Sequence, residues 1–148
     1  MLERQFKFWI RQNWSGWLNS YEPRRGATIG IPDIQVMVRG ALVPIELKVG
    51  VLMGEVLKTK DVRASQINWH NKFSDAGGLS LFMVGVGEGK TPTRIFFCYG
   101  KSGAGLRSPV MAKSLFEIPV DDFDSFLWSW LELRYEIFRE VDRLGKGL

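Results

Sequence analysis

Residues 31–49 hold the pattern that most restricts what this chain can become. Val36-Met37-Val38 and Ala41-Leu42-Val43 stand on either side of Arg39-Gly40, and the second run continues into Ile45-Glu46-Leu47-Lys48-Val49. β-Branched residues flanking a glycine-containing turn predict an antiparallel hairpin. With Arg39-Gly40 as a two-residue loop, Asp33 stands directly opposite Glu46. Side chains alternate along a strand, so Glu46 and Lys48 share one face while Ile45, Leu47 and Val49 take the other. Asp33, Glu46 and Lys48 then form one polar cluster backed by an apolar sheet face. Opposed carboxylates repel, and either a divalent cation or Lys48 itself must offset that repulsion. Pro44, opposite Gln35, has no N–H for the ladder, so a bulge there would shift the register.

An oxygen-only ligand set around an open site suits Mg²⁺ or Mn²⁺. Such an ion polarises a phosphodiester and helps generate hydroxide from water. Lys48 beside it would position or deprotonate the attacking water, or stabilise negative charge developing on phosphorus. The plainer alternatives are that Asp33 after Pro32 starts a turn, and that Glu46 and Lys48 are a solvent-facing strand pair.

Elsewhere Leu2, Phe6, Ile10 and Trp14 recur at helical spacing through a first segment ending near Leu18. Residues 20–30 turn polar around Pro23, Arg24 and Arg25 and read as a basic loop. Gly50 to Asp61 reads as a mobile loop. Ala64 to Ala76 reads as a helix stopped by Gly77-Gly78, followed by strands over Leu79–Val86 and Arg94–Tyr99 and an exposed loop at Ser102–Ser108. The last segment is an amphipathic helix along Phe123, Phe126, Trp130, Leu133, Ile137, Val141 and Leu144, with Leu127, Leu131 and Phe138 widening its stripe. That stripe is expected to pack mainly on the sheet, with a dimer contact as the alternative.

No repeat or long linker divides the 148 residues, which reads as one domain: a core over 1–100 and a helical elaboration over 114–148. No apolar run reaches the length of a membrane span, and the start MLERQFKFWI lacks the pattern of a secretion signal. Cys98 is the only cysteine, which excludes a disulfide framework within the chain and argues against a cysteine-based zinc site. An intracellular location is the expectation. The charge of +4 divides unevenly: residues 1–120 carry 16 Lys and Arg against 9 Asp and Glu, residues 121–148 carry 4 against 7. A basic body attracts polyanions, nucleic acid first among them.

Gly30-Ile31-Pro32-Asp33 followed by Glu46-Leu47-Lys48 resembles the Pro-Asp…(Asp/Glu)-x-Lys nuclease signature, and Gln66 lies on the next helix, in Ala64-Ser65-Gln66-Ile67-Asn68-Trp69. In its order of elements the chain is similar to virus-type replication-repair nucleases and the related Holliday junction resolvases. The resemblance implies an α/β, restriction-endonuclease-like core with a central mixed sheet flanked by helices. The C-terminal helix is an addition to that core. It further implies a homodimer cutting branched DNA with Mg²⁺ or Mn²⁺, and a viral or phage origin would suit it. Asp33, Glu46, Lys48 and Gln66 would be catalytic; Asp33 and Glu46 would bind the metal, with Glu3 on the first helix as a further acidic ligand. Gln66 would orient a phosphate or the water. Arg24, Arg25, Lys58, Lys60 and Arg63 bracket this centre in sequence and would grip phosphates. Trp69 would stack on an exposed base, with core packing as the plainer reading, and His70 is expected not to be a ligand. Competing readings are a sequence-specific restriction or homing endonuclease on the same core, and a DNA-binding module without catalysis.

Overall fold

The hairpin closes on Arg39 and Gly40 with φ of 50° and 82°. Positive φ at both positions is the signature of a type I′ turn, whose twist matches the strands it joins. The structure is a computed structural model and describes residues 1–21 and 30–134. In chain order the elements are α1 (Glu3–Asn13), β1 (Ser20–Tyr21), β2 (Ile34–Val38), β3 (Ala41–Met53), β4 (Val56–Thr59), α2 (Ala64–Asp75), β5 (Leu81–Val86), β6 (Arg94–Tyr99), β7 (Val110–Met111) and β8 (Phe116–Ile118). A further helix, α3, occupies residues 123–134. Ile137, Phe138, Val141 and Leu144 of the expected C-terminal stripe lie outside the described residues, as do Arg24 and Arg25.

The sheet is mixed. Its main path runs β1-β2-β3-β5-β6-β8, with β3 and β5 parallel and the other neighbours antiparallel. β4 pairs with the far end of β3 and also with β7, which curls the sheet at that end. Arg94 fastens the curl, reaching Glu117 on β8 at 2.8 Å and Glu55 in the β3–β4 turn at 3.2 Å. Strand alternation gives the sheet two apolar faces. Ile45, Leu47, Val49, Leu81, Met83, Ile95 and Phe97 meet Phe6 and Ile10 of α1 and Phe123, Leu127 and Leu131 of α3. Phe82, Val84, Val86, Phe96 and Cys98 meet Ile67 of α2, Leu57 and Leu106. The molecule is thus an α/β fold with helices on both sides of a mixed sheet. Among the described residues no helix is long and apolar enough to cross a membrane.

Several expectations change. Gly50–Asp61 is a second hairpin: β3 continues to Met53, turns at Gly54-Glu55 with Gly54 at φ 61°, and returns as β4. Ser102–Ser108 lies largely within a 3-10 helix, Gly100–Arg107, whose Gly103 and Leu106 are buried. The stretch 114–148 is not helical from its start, because Phe116–Ile118 adds a strand beside β6. The first helix stops at Asn13 rather than near Leu18; Trp14 turns extended, and a 3-10 turn follows over Ser15–Asn19. Ser15 is tied to α3, its N–H and hydroxyl both donating to Asp124 Oδ1 at 2.8 Å. On α3 the buried stripe is Phe123, Leu127 and Leu131, while Phe126 and Leu133 are exposed.

His70 is a core residue. It is fully buried, its Nδ1 lies 2.6 Å from Ser80 Oγ, and its ring leans on Phe82 with centroids 4.2 Å apart. Burial pushes its pKa down to about 4. The unfolded chain takes up a proton as pH falls through about 6.5, whereas the folded chain resists until near 4, so His70 costs stability as pH drops across that window. The loss of unfolding free energy between pH 7 and pH 4.5 is expected to shrink by on the order of 2 kcal/mol in His70→Gln protein. Urea titrations of both proteins at both pH values check this, and an unchanged difference would count against a neutral buried imidazole.

Candidate active site

The register across the hairpin is the one its turn dictates: Ile34 faces Ile45, Gln35 faces Pro44, and Val38 faces Ala41. No bulge shifts it at Pro44. In an antiparallel pair closed by a two-residue loop, hydrogen-bonded and non-bonded pairs alternate from the loop outwards. That places Gln35 and Pro44 at a non-bonded position, so the missing N–H of Pro44 is not one that β2 needs. On the opposite edge of β3, pairing with β5 begins only at Ile45 with Leu81.

The next bonded position after Ile45 is Leu47, and there the chain of β2 leaves the ladder. Pro32 has no N–H to contribute. Instead the Asp33 side chain stands in for a strand, its Oδ2 accepting from Leu47 N–H at 2.8 Å. Pairing on this edge resumes where Lys60 N–H donates to Val49 C=O at 2.9 Å. Between these two contacts β3 has an opened edge, and the candidate side chains cluster beside it.

Glu46 and Lys48 point from β3 toward α2, and each is only 2% exposed. Lys48 Nζ donates to the Asp61 carbonyl at 2.9 Å and lies 3.6 Å from Glu46 Oε1. Gln66 sits in the first turn of α2, where its Oε1 accepts from Arg63 N–H at 3.0 Å. That bond uses the amide oxygen and turns the amide nitrogen inward, where Nε2 donates to Glu46 Oε1. Glu46 Oε2 is buried with no hydrogen-bond partner. Gly30, at φ 87°, packs against this same turn of α2: a Cβ placed there would lie 2.4 Å from Ser65 C=O.

The electrostatics follow from this burial. Loss of solvent, reinforced by the neighbouring Asp33 charge and opposed by Lys48, pushes the Glu46 pKa up to about 8. Glu3 is also raised, first by burial; Lys48 opposes the shift and Asp33 and Asp61 add to it. Glu3 of α1 is therefore within electrostatic reach of the same cluster.

The structure brings together Asp33, Glu46, Lys48 and Gln66, with Glu3 at the margin. The expected phosphate contacts are more scattered. Lys58 and Lys60 are exposed on and just after β4, and Arg63 is exposed with its guanidinium 3.3 Å from Asp61 Oδ2. Trp69 is half-buried and stacked on Phe73 with centroids 5.1 Å apart, an arrangement that fits packing within α2. Sequence reasoning missed Asp61, whose backbone carbonyl fixes Lys48. The signal was slight, since a non-glycine residue at φ 61° leaves no mark beyond the tolerance of Asp for that region.

Among the described residues no three His, Cys, Asp or Glu side chains form a group able to hold a metal ion by themselves. Mg²⁺ does not require one: it keeps several waters and commonly takes one or two carboxylates plus phosphate oxygens. The unpartnered, buried Glu46 Oε2 beside Asp33 is an oxygen donor set that fits such an ion. Neither a protein-family model nor a curated protein sequence matches this chain.

Proposed function

We propose that the chain is a divalent-metal-dependent DNA endonuclease with a restriction-endonuclease-like core, selective for branched structures. The observation that carries this reading is Glu46: a carboxylate buried beside Asp33 and Lys48, with one oxygen left without a partner at an opened strand edge. Burying an unsatisfied carboxylate oxygen costs on the order of 1–3 kcal/mol or more. A purely structural role gives no return for that cost.

Asp33 and Glu46 would hold Mg²⁺ or Mn²⁺, which when bound supplies Lewis-acid polarisation of the phosphodiester and a more acidic water. The chain's own residues do the rest. Lys48, held in place by the Asp61 carbonyl, presents fixed positive charge to the developing negative charge on the phosphate oxygens. Gln66 holds Glu46 Oε1, so Oε2 is the oxygen left available. Leu47 N–H fixes Asp33 in the same way. A resolvase cutting both strands of a junction needs two such centres, which calls for a symmetric dimer.

The test is cleavage of a labelled panel of duplex, single strand, flap, splayed arm and four-way junction with Mg²⁺ or Mn²⁺. Wild type is expected to cut branched members preferentially, and Lys48→Ala protein is expected to be slower by roughly 10²–10³-fold. Equal cleavage by wild type and Lys48→Ala would refute the assignment of this centre.

A further inference from the structure

We propose that the outward face of α1 around Phe8 receives an unpaired strand of the DNA substrate. One base stacks on the Phe8 ring, and neighbouring phosphates are held by Arg4, Arg11 and Lys90. This rests on the endonuclease reading and deepens it, naming the single-stranded segment as the feature recognised.

Phe8 is 64% exposed, the most exposed large apolar side chain among the described residues. α1 buries Phe6 and Ile10, so a step of 100° per residue sends Phe8 to the far side of the helix. Arg4 and Arg11 lie one turn before and one turn after Phe8 on the same side, and both are exposed. Arg4, Gln5 and Phe8 line, with Lys90 of the β5–β6 turn, an open depression of about 420 Å³. Met1 N holds that turn against the start of α1 by donating to Gly87 C=O at 3.0 Å. Glu88 is the one acid of the turn, against three cations around the ring.

An exposed aromatic framed by cations is the chemistry that takes a single strand, because every base offers a face to stack and the phosphates meet positive charge. Bases within a duplex already have both faces covered, so the ring selects an unpaired one. The patch adjoins the proposed centre. Glu3 and Arg4 are consecutive, and the turn of α1 that brings Glu3 to the cluster sends Arg4 to the patch. The patch is separated from Glu3, at the margin of that centre, by on the order of 10 Å, the width of one helix. A strand leaving the cut would therefore reach Phe8 within a few nucleotides.

The experiment is a binding titration in EDTA, by fluorescence anisotropy, with an oligothymidylate of about 12 nucleotides and a blunt duplex. Phe8→Ala is expected to weaken oligothymidylate binding roughly tenfold while duplex binding moves by less than about twofold. Phe8→Trp is expected to retain tight binding, and Arg4→Gln with Lys90→Gln to flatten the salt dependence. Unchanged oligothymidylate binding by Phe8→Ala would overturn the proposal. So would an equal loss on duplex, or a change in sedimentation without a change in binding, which would mark the face as a self-association surface. No cleavage occurs in EDTA, so failure of the Lys48-dependent nuclease assay would be read separately from this titration.

Discussion

Glu46→Gln protein is expected to lose DNA cleavage by about 10³-fold or more and yet to melt at a higher temperature than wild type at pH 8 in EDTA. The two effects have one cause. In the folded protein Glu46 holds a proton up to about pH 8, whereas in the unfolded chain it releases it near 4.5. Between those values the folded state binds more protons than the unfolded state, so the contribution of Glu46 to stability is greatest below 4.5 and is lost as pH rises through 8. A shift of this size corresponds to a few kcal/mol. Glutamine has the shape of the protonated acid and cannot ionise, so it removes the loss while deleting the oxygen charge that would hold a cation. Mg²⁺ or Mn²⁺ should offset the same loss in wild type, raising its melting temperature more at pH 8 than at pH 5. Melting curves with and without metal at both pH values decide the matter. A Glu46→Gln protein that melts lower than wild type at pH 8 would mean the carboxylate is stabilising as it stands, and the metal reading would lose its main support.

Gly30→Ala is expected to be the most damaging single-methyl change near the site. Its Cβ would lie 2.4 Å from the Ser65 carbonyl oxygen and 2.8 Å from the Ser65 carbonyl carbon, both backbone atoms that cannot swing aside. The residue also sits at φ 87°, where a side chain adds about 1–2 kcal/mol of strain. Together these should cost on the order of 3 kcal/mol. Relief requires the 30–33 segment to move off α2, which drags Asp33 from Leu47 N–H. A displacement near 1 Å at a catalytic group can cost about 10²-fold in rate. Gly40→Ala is the matched control: its φ is 82°, but nothing lies within 4 Å of the added methyl, so only strain of about 1 kcal/mol is expected. Denaturation midpoints of the two variants, measured side by side, test the distinction. Equal losses would show that backbone conformation alone accounts for both glycines.

The hairpin register was legible because it rests on two local rules, a two-residue turn and strict alternation, which leave no freedom once Arg39-Gly40 is recognised. Pro44 read as a threat because sequence shows a missing N–H but not which edge of the strand that N–H would face. The second hairpin was harder to see. Gly54-Glu55 is an ordinary turn, but β4 has four residues and Lys58 and Lys60 gave it the look of a solvated loop. Besides its hairpin pairing with β3 it is held by β7, about fifty residues later, and pairing at that separation has no local signature. The same is true of Phe116–Ile118, a strand only because β6 is beside it. On α3, sequence spacing selected Phe126 and Leu133 alongside Phe123. Of the wider stripe, Leu127 and Leu131 are buried with Phe123 while Phe126 and Leu133 stay exposed, a rotation that Ser15, bonded to Asp124 at the start of that helix, helps set. Asp33, Glu46 and Lys48 were readable as a set because all three follow from the hairpin, whereas Gln66 entered only through the resemblance to the nuclease signature.

The tether on Lys48 belongs to the peptide chain, not to a side chain. Any residue that tolerates φ 61° at position 61 would still supply that carbonyl, so replacing Asp61 by asparagine or glycine, a usual step in mapping such a cluster, would pass over it. Mutational drift is likewise blind to it, and the lysine can be released only by a change that moves the main chain itself. An amide-to-ester substitution at the peptide bond after residue 61, which weakens the carbonyl as an acceptor and leaves every side chain in place, is the chemical edit that reaches it.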